Sequence, residues 1–304
     1  MTASRTAVIT GAGGFIGSAL ATGLATLGWE VTALDLAFDD GARARLAGLT
    51  LVIADLAQGV PAGLPAAQLV VHAAALTTDH AELGWTRAAH LAANTRPLLA
   101  MMEHAALTAA DAFVFLSSSG VFAVNDGKGE LTDADTPTGG TPYAAAKRAG
   151  ELLVLAGFEH RPAAHVVRLG HVYGPHETTR ATRTRVSLVA QWLAAARAGR
   201  PLAVRADNPV RDWTFAPDLA PALAQVAAGA SAGRPVHLAS PYVMSDSALA
   251  ALVCGHFPTA MPAIEPVASP MKPPMAPSDI PALHGLVWTD PPAAVAQLAS
   301  EVPA

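Results

Sequence analysis

A tyrosine and a lysine in this chain have the spacing that suits proton transfer. Tyr143 and Lys147 stand four positions apart in Thr141-Pro142-Tyr143-Ala144-Ala145-Ala146-Lys147, at the opening of an Ala-rich helical stretch. At that spacing both side chains face one side of a helix, about one turn apart. A phenol with a pKa of about 10 is a poor base at neutral pH, and a neighbouring ammonium favours the phenolate. Upstream, the apolar run Phe113-Val114-Phe115-Leu116 opens into Ser117-Ser118-Ser119. A serine hydroxyl at such a strand end can hold a substrate oxygen while the tyrosine exchanges its proton. Tyr and Lys meet at this spacing on many helices by chance, so the pair takes its meaning from the elements that position it.

Those elements begin at Thr6-Ala7-Val8-Ile9, a short β-branched run followed by Thr10-Gly11-Ala12-Gly13-Gly14-Phe15-Ile16-Gly17 and an Ala/Leu-rich helix. Strand, glycine turn and helix form the first unit of a dinucleotide-binding fold. Gly11 allows the tight turn, Gly14 lets a pyrophosphate approach the backbone, and Gly17 lets helix and strand pack closely. The helix N-terminus then offers unpaired N–H groups to phosphate. The next strand, Glu30–Asp35, ends in an acid 18 positions after Gly17, near the distance at which the fingerprint places its ribose-binding carboxylate. Asp35 repels a 2′-phosphate, and no basic residue lies inside the glycine turn, so NAD is the expected cofactor. Asp55 and Leu56 follow the third strand on the ligand side of such a sheet, and Asp55 serves equally as a loop-starting acid. His72, after the fourth strand, reads as a packed histidine. Ala74 suits a backbone passing under a flat cofactor. Asn94, in a helical stretch, suits a buried hydrogen-bonding role.

Short β-branched runs at 6–10, 30–35, 50–54, 69–73, 112–118 and 164–169 alternate with helical stretches. That alternation implies an α/β fold with a doubly wound parallel sheet, of the Rossmann type. The chain has 304 residues, 52% hydrophobic and 14% charged, which is a globular composition. A formal net charge of −5 without a basic run argues against nucleic acid as a partner. One cysteine, Cys254, allows no intramolecular disulfide and suits a reducing compartment. The first strand starts a few residues after Met1 and no stretch suits a bilayer, so a soluble cytoplasmic protein is expected, with no membrane partner. His171 and His176 have no Cys or carboxylate cluster beside them, and no metal is expected.

Taken together, the chain resembles an extended short-chain dehydrogenase/reductase of the NAD-dependent epimerase/dehydratase family. The resemblance rests on Gly11-x-x-Gly14-x-x-Gly17, Asp35, Asp55-Leu56, His72-x-Ala74-Ala75, Ser117–Ser119 and Tyr143-x-x-x-Lys147. It continues through Arg168-Leu169-x-x-Val172-Tyr173-Gly174-Pro175 and Val210-Arg211-Asp212-Trp213-Thr214-Phe215-x-x-Asp218-Leu219-Ala220. It implies a catalytic set of Ser119, Tyr143 and Lys147, with Ser118 also touching the substrate and Lys147 also on the nicotinamide ribose. It also implies an NAD-binding domain over 1–172, to which 210–240 returns, and a smaller C-terminal substrate domain from 173–209 and 241–304. Arg211 is expected to meet a diphosphate, and helices around 86–107 and 143–157 to build a homodimer.

The resemblance implies hydride transfer at a secondary carbinol of a sugar-like substrate, in carbohydrate metabolism. Nucleotide-sugar epimerisation stands slightly ahead; net dehydrogenation of a sugar acid or related hydroxy acid is the alternative, and a non-catalytic NAD-sensing module a third. His171 stands where nucleotide-sugar enzymes carry Asn. The serine loop lacks the additional carboxylate of the dehydratases and decarboxylases. Arg180, Arg183 and Arg185, three arginines within six positions, suit a carboxylate or phosphate of the substrate, or a solvated loop. The Pro-rich residues 258–281 read as an extended surface strap, with Lys272 as surface charge or in reach of an anionic substrate.

Overall fold

The computed structural model describes residues 5–159, 161–267 and 269–301. Residues 1–4, 160, 268 and 302–304, which the expected domain ranges include, lie outside the described residues. The strands are β1 (Arg5–Thr10), β2 (Trp29–Asp35), β3 (Thr50–Ile53), β4 (Leu69–His72), β5 (Ala112–Ser118), β6 (Ala163–Leu169), β7 (His171–Tyr173), β8 (Leu202–Arg205), β9 (Val210–Phe215), β10 (Val236–Leu238), β11 (Val243–Ser245) and β12 (Pro262–Glu265). The α-helices are α1 (Phe15–Thr26), α2 (Asp40–Arg45), α3 (Arg87–Leu107), α4 (Pro142–Ala156), α5 (Leu188–Arg197), α6 (Leu219–Ala228), α7 (Asp246–His256) and α8 (Pro291–Ser300).

Seven strands form the main sheet in the order β10-β6-β5-β4-β1-β2-β3, and every pairing is parallel. This is the doubly wound sheet expected from the alternation of strands and helices. The six expected strands are present to within one residue at each end. The seventh, β10, has only three residues, too few for a period to show.

Alternate residues of the central strands enter two cores. Ile9, Val71, Val114 and Leu116 belong to one apolar cluster, while Val8, Val70, Phe113 and Phe115 belong to the other. Both faces are thus covered, which is why these strands read as unbroken apolar runs. The strand order reverses between β1 and β4, where ligands of such sheets bind beyond the strand C-termini. The register sets Thr10 beside His72, and His72 beside Phe115.

A third cluster lies outside this sheet. It gathers Trp192 of α5, Trp213 and Phe215 of β9, Leu249 of α7 and Val295 of α8. Around it stand a three-stranded sheet, β11-β9-β7, and the pair β12-β8. The proline-rich run is not a surface strap along its whole length. Met275 is buried, and Leu131 pairs with both sides of it, its N–H donating to Pro274 O (2.8 Å) and its carbonyl accepting from Ala276 N (2.9 Å).

Candidate active site

The glycine turn joins β1 to α1 as its spacing dictates. Gly11 has φ +69°, and a Cβ on Gly17 would lie 2.1 Å from Gly11 O, so neither position admits a side chain. Gly13 N donates to Asp35 Oδ2 at 2.9 Å, tying the turn to the end of β2. Gly14 occupies the N-cap of α1, and no side chain caps that end. Its first-turn N–H groups therefore stand open to an anion.

On the neighbouring strands, Thr10 Oγ1 contacts His72 Nδ1 (3.1 Å) and accepts from Ala74 N (3.1 Å). His72 is fully buried, and burial first, then the Lys147 charge, pushes its pKa down to about 3. It is a neutral packing residue at every working pH.

Helix α4 delivers the tyrosine and the lysine. Thr141 caps it, accepting from Ala144 N at 3.1 Å, and Pro142 follows in the first turn. Gly150 lets α4 lie close on β5, for a Cβ there would meet the Phe115 ring at 2.5 Å. Lys147 Nζ donates to Leu116 O (2.7 Å) and stands 5.9 Å from the centroid of the Tyr143 ring. Burial lowers the Lys147 pKa to about 8, opposed by Glu151. Burial raises the Tyr143 pKa above its ordinary value, opposed by a hydrogen bond with Ser118 and by the Arg183 charge. The expected depression of the tyrosine therefore does not come from the protein alone.

Behind this set lies a buried network centred on Glu151, a residue that the motifs do not name. Glu151 Oε1 accepts from Ser117 Oγ (2.6 Å) and Arg168 Nε (2.8 Å), and Oε2 accepts from Arg168 Nη2 (2.8 Å). The signal was present in the spacing: 143, 147 and 151 form one helical stripe.

These elements surround a cleft of about 900 Å³. Gly11, Gly14, Phe15, Ile16, Gly17, Asp35, Asp55, Leu56, Ala74, Tyr143 and Lys147 all line it. Asn94 is absent from the lining; it holds the backbone of Leu76 instead, accepting from its N–H at 2.9 Å and donating to its carbonyl at 3.2 Å. Ser118 lines the cleft, and Ser119 does not. Ser119 turns the other way, where Lys272 Nζ contacts its carbonyl and its Oγ (3.1 Å). β5 ends at Ser118, and Ser119 already opens a single 3-10 turn, Ser119–Val121, which carries its hydroxyl away from the cleft. Lys272 is thus no surface charge: burial brings its pKa down to about 8, opposed by Asp212.

The residues expected on the substrate divide. Arg180, Arg183 and Arg185 line the cleft, but each faces an acid: Asp35 for Arg180, Glu177 for Arg183 and Glu82 for Arg185. His171 and Arg211 lie outside the lining. His171 Nδ1 stands 3.2 Å from Asp212 Oδ1, and Arg211 makes two bonds to the fully buried Asp246, at 2.6 and 2.7 Å. The Arg211 Nη1 to His171 Nε2 distance of 3.4 Å joins the two pairs.

Residues 7–239 match the NAD dependent epimerase/dehydratase family. The chain belongs to that family. No curated protein matches it in sequence. Among solved structures, it is similar to the NAD-dependent NDP-hexosamine 5,6-dehydratase TunA of tunicamycin biosynthesis, with a TM-score of 0.81, 20% identity and 97% of each chain covered. It is also similar to ADP-L-glycero-D-manno-heptose-6-epimerase of Helicobacter pylori, with a TM-score of 0.80, 18% identity and coverage of 97% and 95%. A third is UDP-glucose 4-epimerase of Thermotoga maritima with UDP-glucose, with a TM-score of 0.79, 18% identity and coverage of 97% and 98%. At these identities the likeness is one of fold.

For this family member, the cleft's features fit a dinucleotide. The glycine turn leaves no side chain between the backbone and a diphosphate, the uncapped end of α1 faces it, and Asp35 stands at the end of β2. Among the described residues, no helix is long and apolar enough to cross a membrane.

Proposed function

We propose that this protein oxidises and re-reduces a secondary carbinol of a nucleotide sugar with bound NAD, as an epimerase. The observation that carries the reading is the meeting of Ser118, Tyr143 and Lys147 at the end of β5 and the start of α4, inside the cleft of the glycine turn. NAD, when bound, supplies the hydride acceptor and a positive charge.

The chain's own residues handle the proton. Ser118 holds the substrate oxygen and orients it toward the Tyr143 hydroxyl. Tyr143 takes the carbinol proton in one direction and returns it in the other. Lys147 spends one of its three N–H groups on Leu116 O, which fixes the ammonium beside the tyrosine and in reach of a ribose. Its charge favours the phenolate, against the burial that raises the Tyr143 pKa. The Gly11–Gly17 turn and α1 hold the diphosphate, and Asp35 the adenosine ribose.

Ser118 replaces Ser119 in this role because only Ser118 reaches both the cleft and the tyrosine. Net oxidation of a sugar acid is the second reading, since the arginines suited to a carboxylate would have to exchange acids of the chain itself for the substrate. A homodimer through α3 and α4 remains part of the proposal, with Leu99 and Leu152 exposed on these helices at 47% and 72%; sedimentation tests it.

The deciding experiment follows purified protein with a panel of nucleotide sugars by NMR, and with sugar acids and NAD⁺ at 340 nm. Interconversion of a nucleotide sugar without net NADH supports the epimerase. Steady NADH from a sugar acid overturns it in favour of a dehydrogenase.

A further inference from the structure

The three arginines after Tyr173 sit on a tight hairpin that spans the coenzyme cleft. Arg180 and Arg183 pair in both directions, Arg180 N donating to Arg183 O (2.8 Å) and Arg183 N to Arg180 O (2.9 Å). The tip, Ala181-Thr182, is fastened to the loop after β4. Thr78 Oγ1 donates to Ala181 O (2.9 Å), and Thr77 donates to Thr182 O through its N–H (2.9 Å) and its hydroxyl (3.1 Å). Beyond the tip, Thr184 Oγ1 donates to Glu82 at 2.9 Å.

The other side is fastened to the glycine-turn wall. Arg180 Nη2 donates to Ala37 O (2.7 Å), and Nη1 stands 3.4 Å from Asp35 Oδ2. The Arg183 guanidinium lies over the Phe15 ring, 5.1 Å from its centroid. Arg180 Nη1 is also 3.6 Å from the point where a Cβ of Gly14 would stand. One cation therefore borders both the carboxylate meant for a ribose and the backbone meant for a diphosphate.

We infer that the 178–185 hairpin is a coenzyme clasp, and that Arg180 binds the diphosphate–ribose portion of the dinucleotide rather than the substrate. The inference rests on the dinucleotide reading of the cleft given above. The negative charge of a diphosphate complements the guanidinium, and a hydrogen bond to an ionised partner exceeds a neutral one. Because the hairpin is held on both walls, a bound dinucleotide leaves only when one fastening opens. Losing the Arg180 fastening therefore speeds release more than it slows entry.

The test is NADH binding followed by fluorescence, at equilibrium and by stopped flow, for wild type, Arg180→Ala, Arg180→Gln and Arg180→Lys, each checked for folding by circular dichroism. We expect about a tenfold rise in Kd for the Ala and Gln variants, carried mainly by a faster off-rate, with Lys between them and wild type. The effect falls on coenzyme parameters and not on the KM for a nucleotide sugar at saturating coenzyme. Folded Ala and Gln variants with wild-type NADH release, or a change confined to the sugar KM, overturn the clasp. A wild-type protein that binds no NADH overturns the dinucleotide reading and the clasp with it.

Discussion

Along the strand ends, the cleft is walled by main chain and small side chains: the glycine turn, Ala73–Ala75 and the Ser117–Ser118 step, with the carboxylates of Asp35 and Asp55 beyond β2 and β3 and the cation of Lys147 bonded to a carbonyl. Across from it, the region beyond β6 is built from opposed charges. On the cleft itself Arg180 reaches Asp35 of the first wall and Arg183 faces Glu177, and behind the lining His171 faces Asp212 and Arg211 faces Asp246. The first wall has its polar groups open toward a ligand. The second has most of its cations already answered by acids of the chain. Buried charge is tolerated only when paired, so a cation on that wall is first a structural group, and its use by a ligand needs an exchange of partners.

Tyr143→Phe probes the first wall most severely. We expect turnover of the nucleotide sugar to fall by about 10²–10⁴-fold, the range of a lost general acid–base group. Interconversion measured by NMR at the wild-type rate would remove Tyr143 from the chemistry and leave the wall as a binding surface alone.

Arg211→Ala puts the same question to the second wall. Asp246 is fully buried, and removing its partner strands a charge, at a cost of about 3 kcal/mol or more. Urea denaturation should show that loss. A variant as stable as wild type with a raised substrate KM would instead return Arg211 to the ligand and erase the contrast between the walls.

The serines sharpen the boundary. Ser118→Ala is expected to lower kcat by about 10²-fold, as for a lost oxygen-holding donor, and Ser119→Ala by only a few-fold. The reverse order would restore the assignment made from the sequence.

The smallest effect concerns pH. Lys272 titrates at about 8 in the folded chain against 10.5 in its ordinary state. Between those values the unfolded chain keeps a proton that the native chain has released, so stability rises with pH across this window. Lys272→Met removes that rise. Thermal scans at about pH 7.5 and pH 9.5 should therefore show wild type gaining a few degrees on the variant at the higher pH. Parallel behaviour would place the Lys272 ammonium in water.

The contrast between the walls also marks what the sequence could and could not convey. Gly11–Gly17, Asp35 and Tyr143–Lys147 act through local geometry, a turn of fixed φ or a helix of fixed period, and their spacing carries that geometry directly. The ion pairs join residues far apart in the chain, such as Asp35 with Arg180 or Arg211 with Asp246. No local spacing encodes which acid answers which base, and so the sequence leaves the arginine hairpin open between a substrate contact and a solvated loop. Ser118 and Ser119 fell between these cases. The strand is evident in the sequence, but the residue at which it gives way to the 3-10 turn decides which hydroxyl enters the cleft. For Lys272, proline-rich composition signals an extended chain and says nothing of the side chain's burial.

That extended chain has one more consequence, for association. β10 is an outer strand of the main sheet. Ser278 N donates to His237 O (3.1 Å), His237 N donates to Ser278 Oγ (2.8 Å), and His237 Nδ1 stands 3.0 Å from Ala276 O. The groups that an incoming strand would use are thus occupied by a segment that carries Pro273, Pro274 and Pro277. Proline lacks the N–H needed to continue a ladder. The sheet is closed on that side to pairing with a second molecule, and the chain's own proline-rich run guards the edge against aggregation.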